Sequence, residues 1–120
     1  MNDLDLSEPA KVHLVAIGGA GMAAIAEVLQ GMGHEVRGSD QSDSAAMERL
    51  RSLGIEAIVG HDVANVQMPS VAAKSTAVPQ SNVEVEELEK QGIRVLHRGE
   101  LLSAIAVSYT HLTLPTNREV

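Results

Sequence analysis

The sequence predicts an α/β domain, with a parallel sheet of roughly five strands held between layers of helix. Three observations carry this expectation. Short β-branched runs alternate along the chain with segments of helical period, and the connections between them are short. Such alternation favours right-handed βαβ crossovers, which lay successive strands parallel. Apolar residues make up 44% of the 120 positions, yet they include one Tyr and no Phe or Trp, so aliphatic side chains must build the core.

The elements follow in order. Lys11 to Ile17, KVHLVAI, is a first strand that ends at glycines. Met22 to Gln30 carries Ala, Ile, Val and Leu at helical spacing and closes at Gly31 and Gly33. HEVRGSD is a second strand, stopping at Ser39 and Asp40. Asp43 or Ser44 caps a helix over Ala45 to Leu53, closed by Gly54, and IEAIVG is a third strand. SVAAKSTAVP is a weaker fourth strand, which Pro79 ends. Ser81 or Asn82 caps a helix through Gln91, Gly92 closes it, IRVLH is a fifth strand, and a last helix starts near Gly99.

The two ends do not share this plan. Residues 1–10, MNDLDLSEPA, are polar and acidic and are expected to be a flexible lead-in. Val107 to Val120, VSYTHLTLPTNREV, is threonine-rich, holds the only Tyr, and continues neither the helical period nor a strand-and-loop plan. It resembles the translation of a transposon-end sequencing adapter. The domain is therefore set at residues 11–105 and a non-native tail at residues 106–120.

Composition excludes several functions. A formal net charge of −7 and a pI near 5.1 argue against broad binding to nucleic acid or anionic membranes. With no cysteine, disulfides, thiolate metal sites and a Cys nucleophile are ruled out. No apolar run approaches the roughly 18 residues of a membrane span, and the N-terminus lacks signal-peptide character, so a cytoplasmic location is expected. The five histidines, His13, His34, His61, His97 and His111, show no metal-ligand spacing and read as structural. The acidic run EVEELEK reads as the solvated face of a helix with a Glu86–Lys90 pair, and Met22, Met32, Met47 and Met68 as core or loop fillers.

The chemistry lies in AIGGAGMAAIAEVL. Gly18, Gly19, Ala20 and Gly21 stand between a strand and a helix, where backbone N–H groups and the helix dipole accept an anion. In G-x-G-x-x-G terms the first position is Ala16, which turns the chain tightly if its φ stays negative. The same glycines also permit plain close packing of helix on sheet. Asp40, 19 residues after Gly21 at the end of the second strand, is placed to accept ribose hydroxyls, though an Asp in GSDQSD also suits a turn. Together they point to a nucleotide without saying which, on a Rossmann-like three-layer domain. No G-x-x-x-x-G-K-[ST] loop is present to hold ATP phosphates.

Three stretches, in order, narrow the choice. VHLVAIGGAGMAAIAEVLQGMGHEVRGSD, LGIEAIVGHDVANV and KSTAVPQSNVEVEELEKQGIRVLHRGELL resemble the N-terminal domain of the Mur ligases, and most closely their branch acting on UDP-N-acetylmuramate and L-alanine. The resemblance covers roughly Lys11 to Ala104. It implies a UDP-N-acetylmuramate-binding domain in which Gly18, Gly19, Ala20, Gly21 and Met22 line the diphosphate and Asp40 with Ser39 faces the ribose or uracil. His61, Ser75, Thr76 and Ala77 are the next contributors it implies.

In that family ATP phosphorylates the lactyl carboxylate of the sugar, and the amine of L-alanine displaces phosphate with Mg²⁺ shielding the charge. Those groups belong to the central and C-terminal domains, so the resemblance implies no catalytic residue, metal or cofactor here and no turnover by this chain alone. Two departures stand out: Ala16 at the first loop position, and Lys74 in a strand that is more apolar in the family and so expected at its wet end. The alternatives are an NAD(P)-binding domain of an oxidoreductase, which the loop and Asp40 alone would also fit, and a small nucleotide-sensing module.

Overall fold

The computed structural model describes Leu6 and residues 8–117, with side chains as far as Val107. Five strands, β1 (Lys11–Val15), β2 (Glu35–Asp40), β3 (Glu56–Val59), β4 (Val71–Lys74) and β5 (Val95–His97), form one parallel sheet in the order β3-β2-β1-β4-β5. Helices α1 (Ala20–Gly31), α2 (Ala45–Ser52), α3 (Val83–Lys90) and α4 (Arg98–Asn117) connect or follow them, with a 3₁₀ turn at Val63–Asn65. The chain begins in the middle of the sheet and winds outward in both directions, so the order of connection reverses between β1 and β4. The α/β class and the parallel five-stranded sheet are as the sequence predicts.

Alternation along β1 divides the core in two. Val12 and Leu14 face α1, α2 and α4, where Met22, Ile25, Leu29, Met47, Leu50, Leu101 and Ile105 complete the larger cluster. Val15 faces the other way, against Val66, Ala72, Val78, Val85 and Leu88, the last two from α3. His13 shares that second face with Val15, two residues away. Local signals set the helix starts: Ser44 accepts a hydrogen bond from the Met47 N–H, and the Asn82 side chain accepts from Glu84 and Val85 N–H.

Several details differ from the sequence expectation. Leu6, inside the segment expected to be flexible, is 2% exposed and packs in the larger core, and the Ala10 N–H donates to His34 Nδ1. Lys74 is not at a wet end but 5% exposed, because β4 is buried along its whole length. The chain doubles back after Ser75 and brings the Val78 carbonyl to Lys74 Nζ at 2.8 Å, which supplies a partner for the buried ammonium. Helix α4 runs across residue 106, where the sequence places the start of its tail, and Leu101 and Ile105 anchor its first turns. No helix among the described residues is long and apolar enough to cross a membrane.

Gly38 allows β2 to lie against β1. A Cβ there would run into the Leu14 carbonyl oxygen and stand 2.9 Å from Ile17 Cβ, both fixed parts of the central strand and its exit. Gly38→Ala is therefore expected to lower unfolding free energy by about 3 kcal/mol, measured by urea denaturation.

Candidate functional site

The carboxyl ends of the strands gather the residues of interest, beside the reversal between β1 and β4 where open α/β sheets bind ligands. The loop from β1 to α1 comes first. Ala16 has φ +73°, so the condition of a negative φ is not met: the turn needs the left-handed region and is made by a non-glycine. That conformation costs an L-residue about 1–2 kcal/mol. It is held by a clamp in which the N–H groups of Ala16 and Ile17 both donate to the Ser39 carbonyl, at 2.7 and 2.9 Å, while the Ile17 side chain is buried.

Gly18 follows, its N–H donating to Asp40 Oδ2 at 2.9 Å. Gly19 caps α1 with no side chain to offer, and the first turn of α1 contains no acidic residue. The N–H groups of Ala20, Gly21 and Met22 therefore stand at the positive end of the helix without intrahelical acceptors or a competing carboxylate. Met22 contributes its backbone alone, since its side chain is 1% exposed in the core.

Asp40 is half-buried and braces this loop. Oδ2 takes the Gly18 N–H and Oδ1 the Gln41 N–H at 2.7 Å. A carboxylate has about four lone-pair directions, so two are left for other donors. The turn-forming role of Asp40 is present in these two bonds, and the carboxylate keeps acceptor capacity to spare.

Across the loop stands Arg98, at the junction of β5 and α4, which the sequence reading does not single out. A Cβ placed on Gly21 would lie 2.9 Å from Arg98 Nη1, so the guanidinium lies over the helix start. Ser75 opens the β4 exit, its N–H donating to the Val15 carbonyl at 3.4 Å and its hydroxyl accepting from the Ala77 N–H at 3.2 Å. Thr76 and Ala77 are exposed in that turn, and no hydrogen bond among the described residues joins them to the glycine loop.

The centre of the polar network is Glu84, on the run expected to be solvated. It is 0% exposed. Oε1 accepts from His13 Nε2 and Ser39 Oγ, each at 2.7 Å, and Oε2 from the Asp62 N–H at 3.0 Å and Asn65 Nδ2 at 2.7 Å. His61, with a side chain 19% exposed, places Nδ1 2.8 Å from Ser39 Oγ. Burial pushes the Glu84 carboxyl up, but the hydrogen bonds from His13, Asn65, Ser39 and Asp62 outweigh it and hold the group down at about 2. A signal was available: Glu84, Val85 and Leu88 share one helix face, and the latter two are core residues. On the same helix Lys90 reaches Glu87 at 4.0 Å rather than pairing with Glu86.

Residues 11–110 match the Mur ligase family, described as its catalytic domain. The chain belongs to the Mur ligase family. Its relatives include a UDP-N-acetylmuramate–L-alanine ligase of Oleidesulfovibrio alaskensis, 44% identical over 108 residues, covering 84% of this chain and 24% of the relative. The enzyme of the same name from Rhizobium etli is 46% identical over 107 residues, covering 83% and 23%. Among solved structures, the UDP-N-acetylmuramate–alanine ligase of Thermotoga maritima superposes with TM-score 0.76 at 31% identity, over 78% of this chain and 22% of that one. A murein peptide ligase from Psychrobacter arcticus, 24% identical with TM-score 0.73, shares the fold. This Mur ligase chain thus spans about a quarter of the length of the curated relatives it matches.

Two outcomes test the site's construction. Ala16→Gly removes the left-handed strain and is expected to raise unfolding free energy by about 1 kcal/mol, read from the urea midpoint. Glu84 is ionised in the fold down to about 2, against about 4.3 in an unfolded chain. Its contribution is therefore complete above that upper value and lost as pH falls through this window. Roughly 3 kcal/mol of acid-sensitive stability follows. Denaturation between pH 6 and pH 2.5 is expected to show a steeper decline for the wild type than for Glu84→Gln.

Proposed function

We propose that this domain binds the uridine diphosphate end of UDP-N-acetylmuramate on behalf of a ligase that joins L-alanine to that sugar nucleotide. The observation that carries the proposal is the open first turn of α1, free of acidic side chains, with the Arg98 guanidinium over Gly21 and the Asp40 carboxylate beside Gly18. The three together suit a diphosphate followed by a hydroxyl-bearing sugar. Membership of the Mur ligase family, and the names of the relatives, support the uridine nucleotide over the NAD(P) alternative.

In this reading the backbone N–H groups of Ala20, Gly21 and Met22 and the Arg98 guanidinium hold the diphosphate. The lone pairs of Asp40 left free by Gly18 and Gln41 take ribose hydroxyls, with His61 and the Ser75–Ala77 turn on either side. ATP and Mg²⁺ supply the activation of the lactyl carboxylate in the whole ligase. This domain contributes binding and orientation.

Titration calorimetry with UDP-N-acetylmuramate, UDP, NADH and NADPH tests the proposal. Heat from the two uridine nucleotides and none from the dinucleotides is expected, whereas NADH binding with indifference to UDP would overturn it. Arg98→Ala is expected to weaken UDP about tenfold, the loss of one charge-assisted contact, with little change in thermal midpoint because the side chain is exposed.

A further inference from the structure

Hydrogen-bond direction in the buried cluster can be assigned from proton counting. Four donors converge on Glu84, and an ionised carboxylate only accepts. Two of these assignments are fixed by chemistry. The Asp62 group is a backbone N–H, and Asn65 Nδ2 also donates to the Gly60 carbonyl at 2.9 Å, which sets the orientation of its amide. Ser39 has a single hydroxyl hydrogen, and at 2.7 Å from Glu84 Oε1 that hydrogen is committed. The 2.8 Å contact between Ser39 Oγ and His61 Nδ1 then needs its hydrogen from the imidazole.

We propose that Glu84, through Ser39 and from 3.7 Å directly, holds the one N–H of a neutral His61 on Nδ1, so that its free Nε2 is an acceptor that selects ligands carrying an N–H or O–H donor on the nucleoside. Glu84 is a positioning residue, buried and out of reach of ligand. The element doing the selecting is His61, which lies beyond the carboxyl end of β3. Its Nε2 has no hydrogen-bond partner among the described residues and is not sealed from solvent.

The relay spans three parts of the fold: α3 supplies the charge, β2 the hydroxyl and the segment after β3 the ring. Asp62 and Asn65 pin that segment to the same carboxylate, so the ring's position and its proton are set by one group. The acceptor character matters because the rest of the cleft differs from it. The start of α1 and Arg98 are donors that suit phosphate oxygens, whereas Asp40 and His61 Nε2 accept. A nucleoside with an imide N–H and two ribose hydroxyls meets both kinds of group.

The ligand half of this proposal rests on the nucleotide reading above, while the tautomer half does not. Long-range ¹H–¹⁵N correlation of the histidines in the whole chain reads the tautomer directly. Expected for His61 is a protonated Nδ1 and a lone-pair Nε2, opposite to His13, whose Nε2 donates to Glu84. Ser39→Ala should move His61 toward the Nε2–H form. A wild-type His61 protonated on Nε2, or a tautomer indifferent to Ser39→Ala, overturns the relay.

Calorimetry with UDP, its N3-methyl analogue and its 2′- and 3′-deoxy analogues then identifies the donor. At least one analogue is expected to bind the wild type about tenfold more weakly than UDP, with that ratio collapsing in His61→Phe. UDP binding with no His61-dependent discrimination overturns the selective role. Absence of UDP binding overturns the nucleotide reading together with that role and leaves the relay to stand or fall on the tautomer alone.

Discussion

One buried carboxylate sets the geometry of the carboxyl edge of this sheet. Glu84 leaves α3, enters the second face of the sheet, and receives hydrogen from β1, from β2 and from the segment after β3. A buried charge is tolerated only when its hydrogen-bond directions are filled, and here four donors fill them. The same requirement makes the cluster specific. Displace α3 or the segment at residues 61–65, and a charge in the core loses partners at a cost of several kcal/mol.

The glycine loop on the other side depends on β2 in a complementary way. Ser39 sends its side chain to Glu84 and its carbonyl to the N–H groups of Ala16 and Ile17. Asp40, the next residue, holds Gly18. Two adjacent residues at the end of one strand thus support both the loop that ends in the helix start and the network that holds His61. The strained Ala16 persists because that backbone clamp over-determines it.

Most of the fold is legible in the sequence because its signals are local. Ser44 and Asn82 announce their helices through hydrogen bonds to the next few residues, and β-branched runs ending at glycine mark the strands. Gly18 to Gly21 and Asp40 are likewise readable, since strand, loop and acidic partner sit within one βαβ unit. What is illegible depends on residues far apart in sequence. Glu84 resembles its exposed neighbours until His13, 71 residues away, is brought against it. Lys74 reads as solvated until the turn after Ser75 returns the Val78 carbonyl. Arg98 gains meaning only when β5 takes its place beside β4 and lays the guanidinium over Gly21. Ala16 shows a different limit, because the sign of a single φ depends on the clamp from Ser39, which no residue type discloses.

The charge state of Glu84 underlies the whole of this edge, and titration of its side-chain carboxyl carbon by ¹³C NMR reads it directly. In the folded chain the resonance should stay at its ionised position through the range where ordinary glutamates protonate and move with a midpoint of about 2. A midpoint at the ordinary value of about 4.3, in a chain still folded, would contradict the account.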